Sequence, residues 1–169
     1  MKTIRFENRV RFRLPADWLD GMEDGVGIFH PPRPRGGTLR VTTEELRHGG
    51  NPGDGDLAAA TRVILRQTAE NFVRADDSRV GDRVLEQLDD GSMLASYNAR
   101  TMIEGDMVAI YMWLRGKAVR EVVTLAVFSF ALAASADGSD AFVTAIGMLD
   151  DEIRAAELGN PDPAADAVK

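Results

Sequence analysis

The stretch VREVVTLAVFSFALAA, Val119–Ala134, is the most apolar run in the chain. Three readings compete for it: a membrane span, a buried helix and a core strand. Its uncharged part, Val122–Ala134, is thirteen residues long. As a helix it would reach roughly 20 Å, whereas a bilayer's hydrocarbon core is ~30 Å thick and needs about 20 residues. Arg120 and Glu121 stand at one end, Asp137 and Asp140 at the other, so the run cannot be lengthened. The membrane reading fails. Between helix and strand, composition decides. VVTLAVFSF holds three valines, one threonine and two phenylalanines, the β-branched and aromatic residues that fit a pleated surface. A strand covered on both faces reads as a continuous apolar run. Val119–Leu132 is therefore read as a long central strand, and helices must cover both of its sides.

Working outward, three polar, glycine-containing turns precede the run: Asp89-Asp90-Gly91, Glu104-Gly105-Asp106 and Arg115-Gly116-Lys117. They separate Arg83–Leu88, Met93–Ile103 and Met107–Leu114, which with the run make an antiparallel meander of four strands. Near the N-terminus, Ile4, Phe6, Val10, Phe12 and Leu14 fall on even positions and Arg5, Arg9, Arg11 and Arg13 on odd ones. A turn at Glu7-Asn8-Arg9 makes this a hairpin with one apolar face and one arginine face. Pro15 ends it, because proline cannot donate to a ladder. Gly25–His30 and Thr38–Thr42 are further short strands, joined by PPRPRGG (Pro31–Gly37).

A helical period appears twice. Leu57, Ile64, Leu65, Thr68 and Phe72 share one face of a helix over Asp56–Arg74. Phe142, Ile146, Leu149 and Ile153 do so over Asp140–Leu158, with Asp56 and Asp140 as N-cap candidates. Runs of strands with two single-faced helices, lacking β-α-β alternation, define the fold class as α+β with a mostly antiparallel sheet. Residues 1–158 are read as one domain, and the Pro/Ala/Asp-rich residues 159–169 as a disordered tail.

The chain has 169 residues and no cysteine. The second fact excludes disulfides, thiol nucleophiles and thiolate metal sites, and it is compatible with the expected cytoplasmic location. MKTIRFENRV lacks the apolar segment of a secretory signal. Net charge is −7, so nucleic acid is not expected as a partner. The charge is uneven: residues 1–48 carry nine Lys/Arg against seven Asp/Glu, leaving −9 on the remainder.

Few residues have the company that chemistry needs. His30 and His48 lack any partner at metal-binding or triad spacing. HGGNPGDGD (His48–Asp56) is glycine-rich, but Asp54 and Asp56 enter the helix where a phosphate loop needs lysine, and no distal glutamate completes a calcium loop. Asp150-Asp151-Glu152 splays over ~200° of a helix, so the three cannot converge. No catalytic residue, metal site or cofactor is expected. The best interaction candidate is the stiff loop Pro31–Gly37 with Arg33 and Arg35, which suit an acidic partner. His30 beside it and Trp113 complete the candidate binding residues.

The elements FRLPADW (Phe12–Trp18), GVGIFHPP (Gly25–Pro32), a first helix, a meander ending in VREVVTLAVFSF and a final helix resemble the Mog1/PsbP-like superfamily. The likeness covers roughly residues 3–158. That group includes the nuclear-transport factor Mog1, the photosystem II subunit PsbP and many small bacterial proteins. The resemblance implies an α/β/α sandwich that acts by binding other proteins or stabilising assemblies. It transfers no catalytic motif.

The resulting reading is a non-enzymatic, bacterial-type interaction module. It binds a protein partner through its sheet surface and the 31–37 loop, with no membrane or nucleic-acid partner. One alternative is a small-ligand binder or cone-like α+β enzyme, with a pocket under the meander lined by Met93, Tyr97, Met102, Met112 and Trp113. Another is a secretion-system accessory, either chaperone or immunity protein.

Overall fold

A computed structural model describes residues 1–32, 36–47, 57–74 and 80–159, with backbone alone at residues 57, 58 and 80. Five strands come first: β1 (Lys2–Phe6), β2 (Val10–Leu14), β3 (Leu19–Glu23), β4 (Val26–His30) and β5 (Thr38–Arg47). Helix α1 (Leu57–Val73) follows. The meander is β6 (Val80–Gln87), β7 (Met93–Ile103), β8 (Asp106–Val119) and β9 (Val122–Ala133). Helix α2 (Asp140–Arg154) and the short β10 (Glu157–Leu158) come last. The large sheet has the order β3-β4-β5-β9-β8-β7-β6, and β1-β2-β10 form a second, smaller one. All the pairings are antiparallel. The fold is α+β, as its pattern of elements predicts.

β9 lies between β5 and β8, with Phe130 opposite Leu39 on one side and Tyr111 on the other. Its even-numbered residues Ala126, Phe128, Phe130 and Leu132 pack with Leu149 and Ile153 of α2 and with Phe6, Val10, Phe12 and Leu14 of the small sheet. Its odd-numbered Val123 and Leu125 pack with Leu65 and Ala69 of α1. The helices therefore lie on opposite faces of the strand, as its two-sided apolarity requires. Phe12 ties the layers together: its ring meets Phe128 at 5.3 Å and 90° and Phe29 at 5.8 Å and 86°, edge-to-face contacts that aromatic quadrupoles favour. Burying side chains such as Phe128 and Phe130 contributes about 1.5–3 kcal/mol each.

Local chemistry sets the turns. Glu7 and Asn8 both take positive φ between β1 and β2, as do Asp24 and Gly25 between β3 and β4, and Glu104 and Gly105 between β7 and β8. The two-residue turns at Asp24-Gly25 and Glu104-Gly105 match the natural twist of the strands they join, and a third residue, Arg9, completes the β1–β2 connection.

Several boundaries differ from those read in the sequence. Arg115-Gly116-Lys117 is not a turn: β8 runs through it, and the turn lies at Arg120-Glu121. Gly116 serves packing instead, since a Cβ there would stand 2.3 Å from Leu65 Cδ1; its absence lets α1 approach the sheet. β3 was not foreseen, because LDGME is exposed at every position and shows no alternation. β5 extends past Thr42 through a charged stretch, Glu44–Arg47. α2 starts after Ser139 rather than at an Asp140 cap and ends at Arg154. Glu157 and Leu158 instead pair with Arg11 and Val10 of β2. Asp56, His48, the glycine-rich segment between them and the tail beyond Gly159 lie outside the described residues.

Arg115 explains where α2 stops. It is 2% exposed. Its Nε donates to Ile153 O at 3.0 Å, its Nη2 to Ala156 O at 3.1 Å, and its Nη1 to Ser92 Oγ at 2.7 Å and Met93 O at 3.3 Å. One guanidinium thus adds a donor to Ile153 O, which also accepts from Ala156 N–H at 3.2 Å, and to Ala156 O just beyond α2, and places a cation at the negative end of the helix dipole. Burial pushes its pKa down and nearby Asp90 pushes back, but the group stays charged. Replacing Arg115 by Met strips four oxygens of a donor. Urea unfolding should register a loss of about 3 kcal/mol or more. Arg115→Lys should not rescue it, because a single ammonium lacks the planar fork.

Candidate functional site

α1 packs over β7 and β8 and reaches β6 and β9. Leu65 and Ala69 cover Leu114, Val123 and Leu125, and Phe72 meets Tyr97 at 5.2 Å between ring centres. Further along the same face, the side chains are only half-buried: Ser129 and Ala131 of β9, and Val108, Ile110 and Met112 of β8. Strand register assembles them into rows. Thr38, Ala131 and Ile110 stand side by side, then Arg40, Ser129 and Met112. With Gly37, Ile103 and Ala133 they line an open trough of about 470 Å³.

Met102 and Met107, 56% and 49% exposed at the tip of the β7–β8 hairpin, pair on the opposite face of the sheet, the side of Tyr111 and Trp113. Ile103, 45% exposed, carries the apolar surface of the trough to the same tip. Contiguous apolar surface of this kind marks interaction sites, and Met112 within it can adapt its shape to a partner. Glu104 and Asp106 place negative charge at the tip; Arg40, exposed, places positive charge on the opposite bank.

The candidates from the sequence divide. His30 is exposed at the end of β4, with Nδ1 3.3 Å from Oγ1 of Thr38, a trough residue. Arg33 and Arg35 lie outside the described residues, although Gly37, the last residue of their loop, lines the trough. Trp113 does not join them. It is 3% exposed in the α2 layer, and its indole N–H donates to Asp150 Oδ1 at 2.9 Å. Nor do the five residues proposed for a pocket under the meander converge. Met93 and Tyr97 pack against the α1 layer and Met112 lines the trough, whereas Met102, at the hairpin tip, and Trp113 face the other way.

Ile103, Val108, Ile110, Ala131 and Arg40 were missed. Residues 107–114 of β8 are apolar on both faces, so no alternation distinguishes the covered side from the open one. The acidic triplet of α2 splays as its spacing requires. Asp150 accepts from Trp113 and Arg154, Glu152 accepts two bonds from Arg13, and Asp151 is exposed. Among the described residues no three His, Cys, Asp or Glu side chains group as metal ligands, and no helix is long and apolar enough to cross a membrane.

On the α2 side of the same strands, the Tyr111 hydroxyl donates to Asp137 Oδ1 at 2.6 Å, and Arg100 Nη2 donates to Oδ2 at 3.0 Å. Burial, and then the bond to Asp137, push the Tyr111 phenol up to about 12. Asp137 is held below the usual carboxylate range by the Tyr111 bond and, against the effect of burial, by Arg100.

No family model matches the sequence, and no curated protein does. Solved structures do match. A protein of Bacteroides thetaiotaomicron superposes with a TM-score of 0.60 at 14% identity over 95% of this chain. The chain spans about half of that protein's length, 49%. LpqN, described as involved in cell envelope biogenesis of Mycobacterium tuberculosis, superposes with a TM-score of 0.60 at 11% identity, covering 88% of this chain and 82% of its own. The cyanobacterial PsbP of Synechocystis gives 0.55 at 14% identity, with 90% and 88% covered. The chain therefore has the Mog1/PsbP-like fold. At these identities the likeness establishes architecture, and function has to be argued from the site.

The Tyr111–Asp137 pair makes a titration prediction. Tyrosine in an unfolded chain ionises near 10, below the folded value of about 12. The stability this shift contributes is present in full below the unfolded value and is lost as pH rises from there through the folded one. Spectrophotometric titration of Asp137→Asn should move the Tyr111 transition down towards its ordinary value without reaching it, because burial still opposes ionisation.

Proposed function

We propose that this chain is a non-enzymatic docking module that binds a protein partner on the open end of its sheet. One observation carries the reading: the apolar trough of about 470 Å³ continues onto Ile103, exposed at the tip of the β7–β8 hairpin. The partner that fits presents apolar side chains to Ile103, Ile110 and Met112. It sets acidic groups opposite Arg40 and the two loop arginines, Arg33 and Arg35, and keeps basic ones near Glu104 and Asp106. Such a pattern fixes orientation by charge and takes affinity from apolar burial. The net charge of −7 argues against a nucleic-acid partner.

A cytoplasmic location is part of the proposal, on the cysteine-free composition. Fractionation that found the chain in the envelope, whose biogenesis LpqN is described as serving, would overturn that part.

A photo-crosslinking residue placed at Ile103 or at Met112, in cells that make the protein natively, tests the reading. The same discrete adduct should form from both positions and not from Val143, which is 60% exposed on α2. Combined Arg33→Ala and Arg35→Ala substitution should weaken it severalfold. Adducts that form equally from Val143, or none from the trough, would contradict the proposal. An adduct indifferent to the arginines would remove the loop from it.

A further inference from the structure

The opposite layer holds a second cavity, of about 390 Å³, whose wall includes Pro15, Trp18, Pro31, Phe130, Phe142 and Met148. Trp18 and Phe130 are 3% and 0% exposed and form its floor. Phe130 lies 6.2 Å from the Trp18 ring and 6.5 Å from the Phe142 ring, tilted to both. The floor is held in place from behind. Gly37 has φ +91, and a Cβ there would stand 2.5 Å from Phe130 Cζ, so the chain after the Pro31–Gly37 loop presses directly on the ring edge. Among the described residues no charged side chain lines the cavity. The hydroxyl of Thr144, one of its few polar groups, already donates to Asp140 O at 2.8 Å.

We propose that this cavity is a binding site for a small, uncharged aromatic molecule of about two fused rings. Size sets the upper limit: an apolar cavity of roughly 150 Å³ takes benzene, and this one is between two and three times larger. The chemistry of the wall selects the class. Aromatic rings tilted to one another offer both faces and edges to a further ring, and the Met148 thioether adds a sulfur–aromatic contact. A charged ligand would leave water with no charged partner among the described residues of the wall. The site lies across the sheet from the trough and does not depend on the docking reading.

Titration of the full chain with 1-aminonaphthalene, a fluorescent aromatic of two fused rings that is neutral at pH 7, tests the assignment. Emission should rise saturably to one site per chain, with energy transfer from Trp18. Naphthalene should displace the probe and dodecanol should not. Ala145→Phe fills the cavity from α2 and should weaken binding by roughly tenfold or more. Ala141→Leu, at an exposed helical position, should do the same if the first variant does not fold. Ile110→Lys, in the trough on the other face, should leave it unchanged. Non-saturable emission, binding that survives both filling variants, or displacement by dodecanol ahead of naphthalene would overturn the proposal.

Discussion

A strand apolar on both faces cannot be left half-wrapped without consequence, and β9 is such a strand. Its even-numbered side chains are sealed by α2 and the small sheet, and its odd-numbered ones by α1. The layer order of the molecule follows from this demand. So does its functional surface. The seal of α1 extends over Val123 and Leu125 without reaching Ala131. What the described residues leave uncovered on that face is the trough.

Two adjacent residues of β8 hold the two covers. Gly116, by lacking a Cβ, lets Leu65 of α1 settle on the sheet. Arg115, facing the other way, gathers the last carbonyls of α2 and the start of β7. Burying a guanidinium is unfavourable in itself. The four oxygens around it offset that cost and fix where α2 stops, so that Glu157 and Leu158 can join β2. Helix placement on each face therefore depends on side-chain choices one residue apart.

Much of this was legible in the sequence, for reasons that separate cleanly. The even/odd split of residues 4–14 and the composition of residues 122–132 are direct consequences of pleating, so the hairpin and the central strand could be read off. Arg115-Gly116-Lys117 looks like a turn because glycine between two cations is common in turns; only the helix packed above reveals that the glycine is there for clearance. β3 has no buried side to create a period. The trough was the hardest to see. Open and covered halves of one sheet face carry the same kinds of residue, and the difference lies in how far α1 reaches, a tertiary fact. Trp113 misled in the converse way. Its size and polar edge suit a pocket floor, but its indole N–H is satisfied by Asp150 within the core.

The architecture is shared with LpqN and cyanobacterial PsbP, whose identities to this chain of 11% and 14% carry no functional residue across. What distinguishes this chain is where its sheet is left open. The most direct test compares lysine at two odd-numbered positions of β9, Leu125 under α1 and Ala131 in the trough, by urea unfolding. Leu125→Lys should unfold the protein or cost several kcal/mol, as a buried unpaired charge does. Ala131→Lys should cost less than about 1 kcal/mol, its ammonium reaching water along the trough. Equal and severe losses at both positions would mean that the face is covered along its whole length, and the account of an open docking surface would fail.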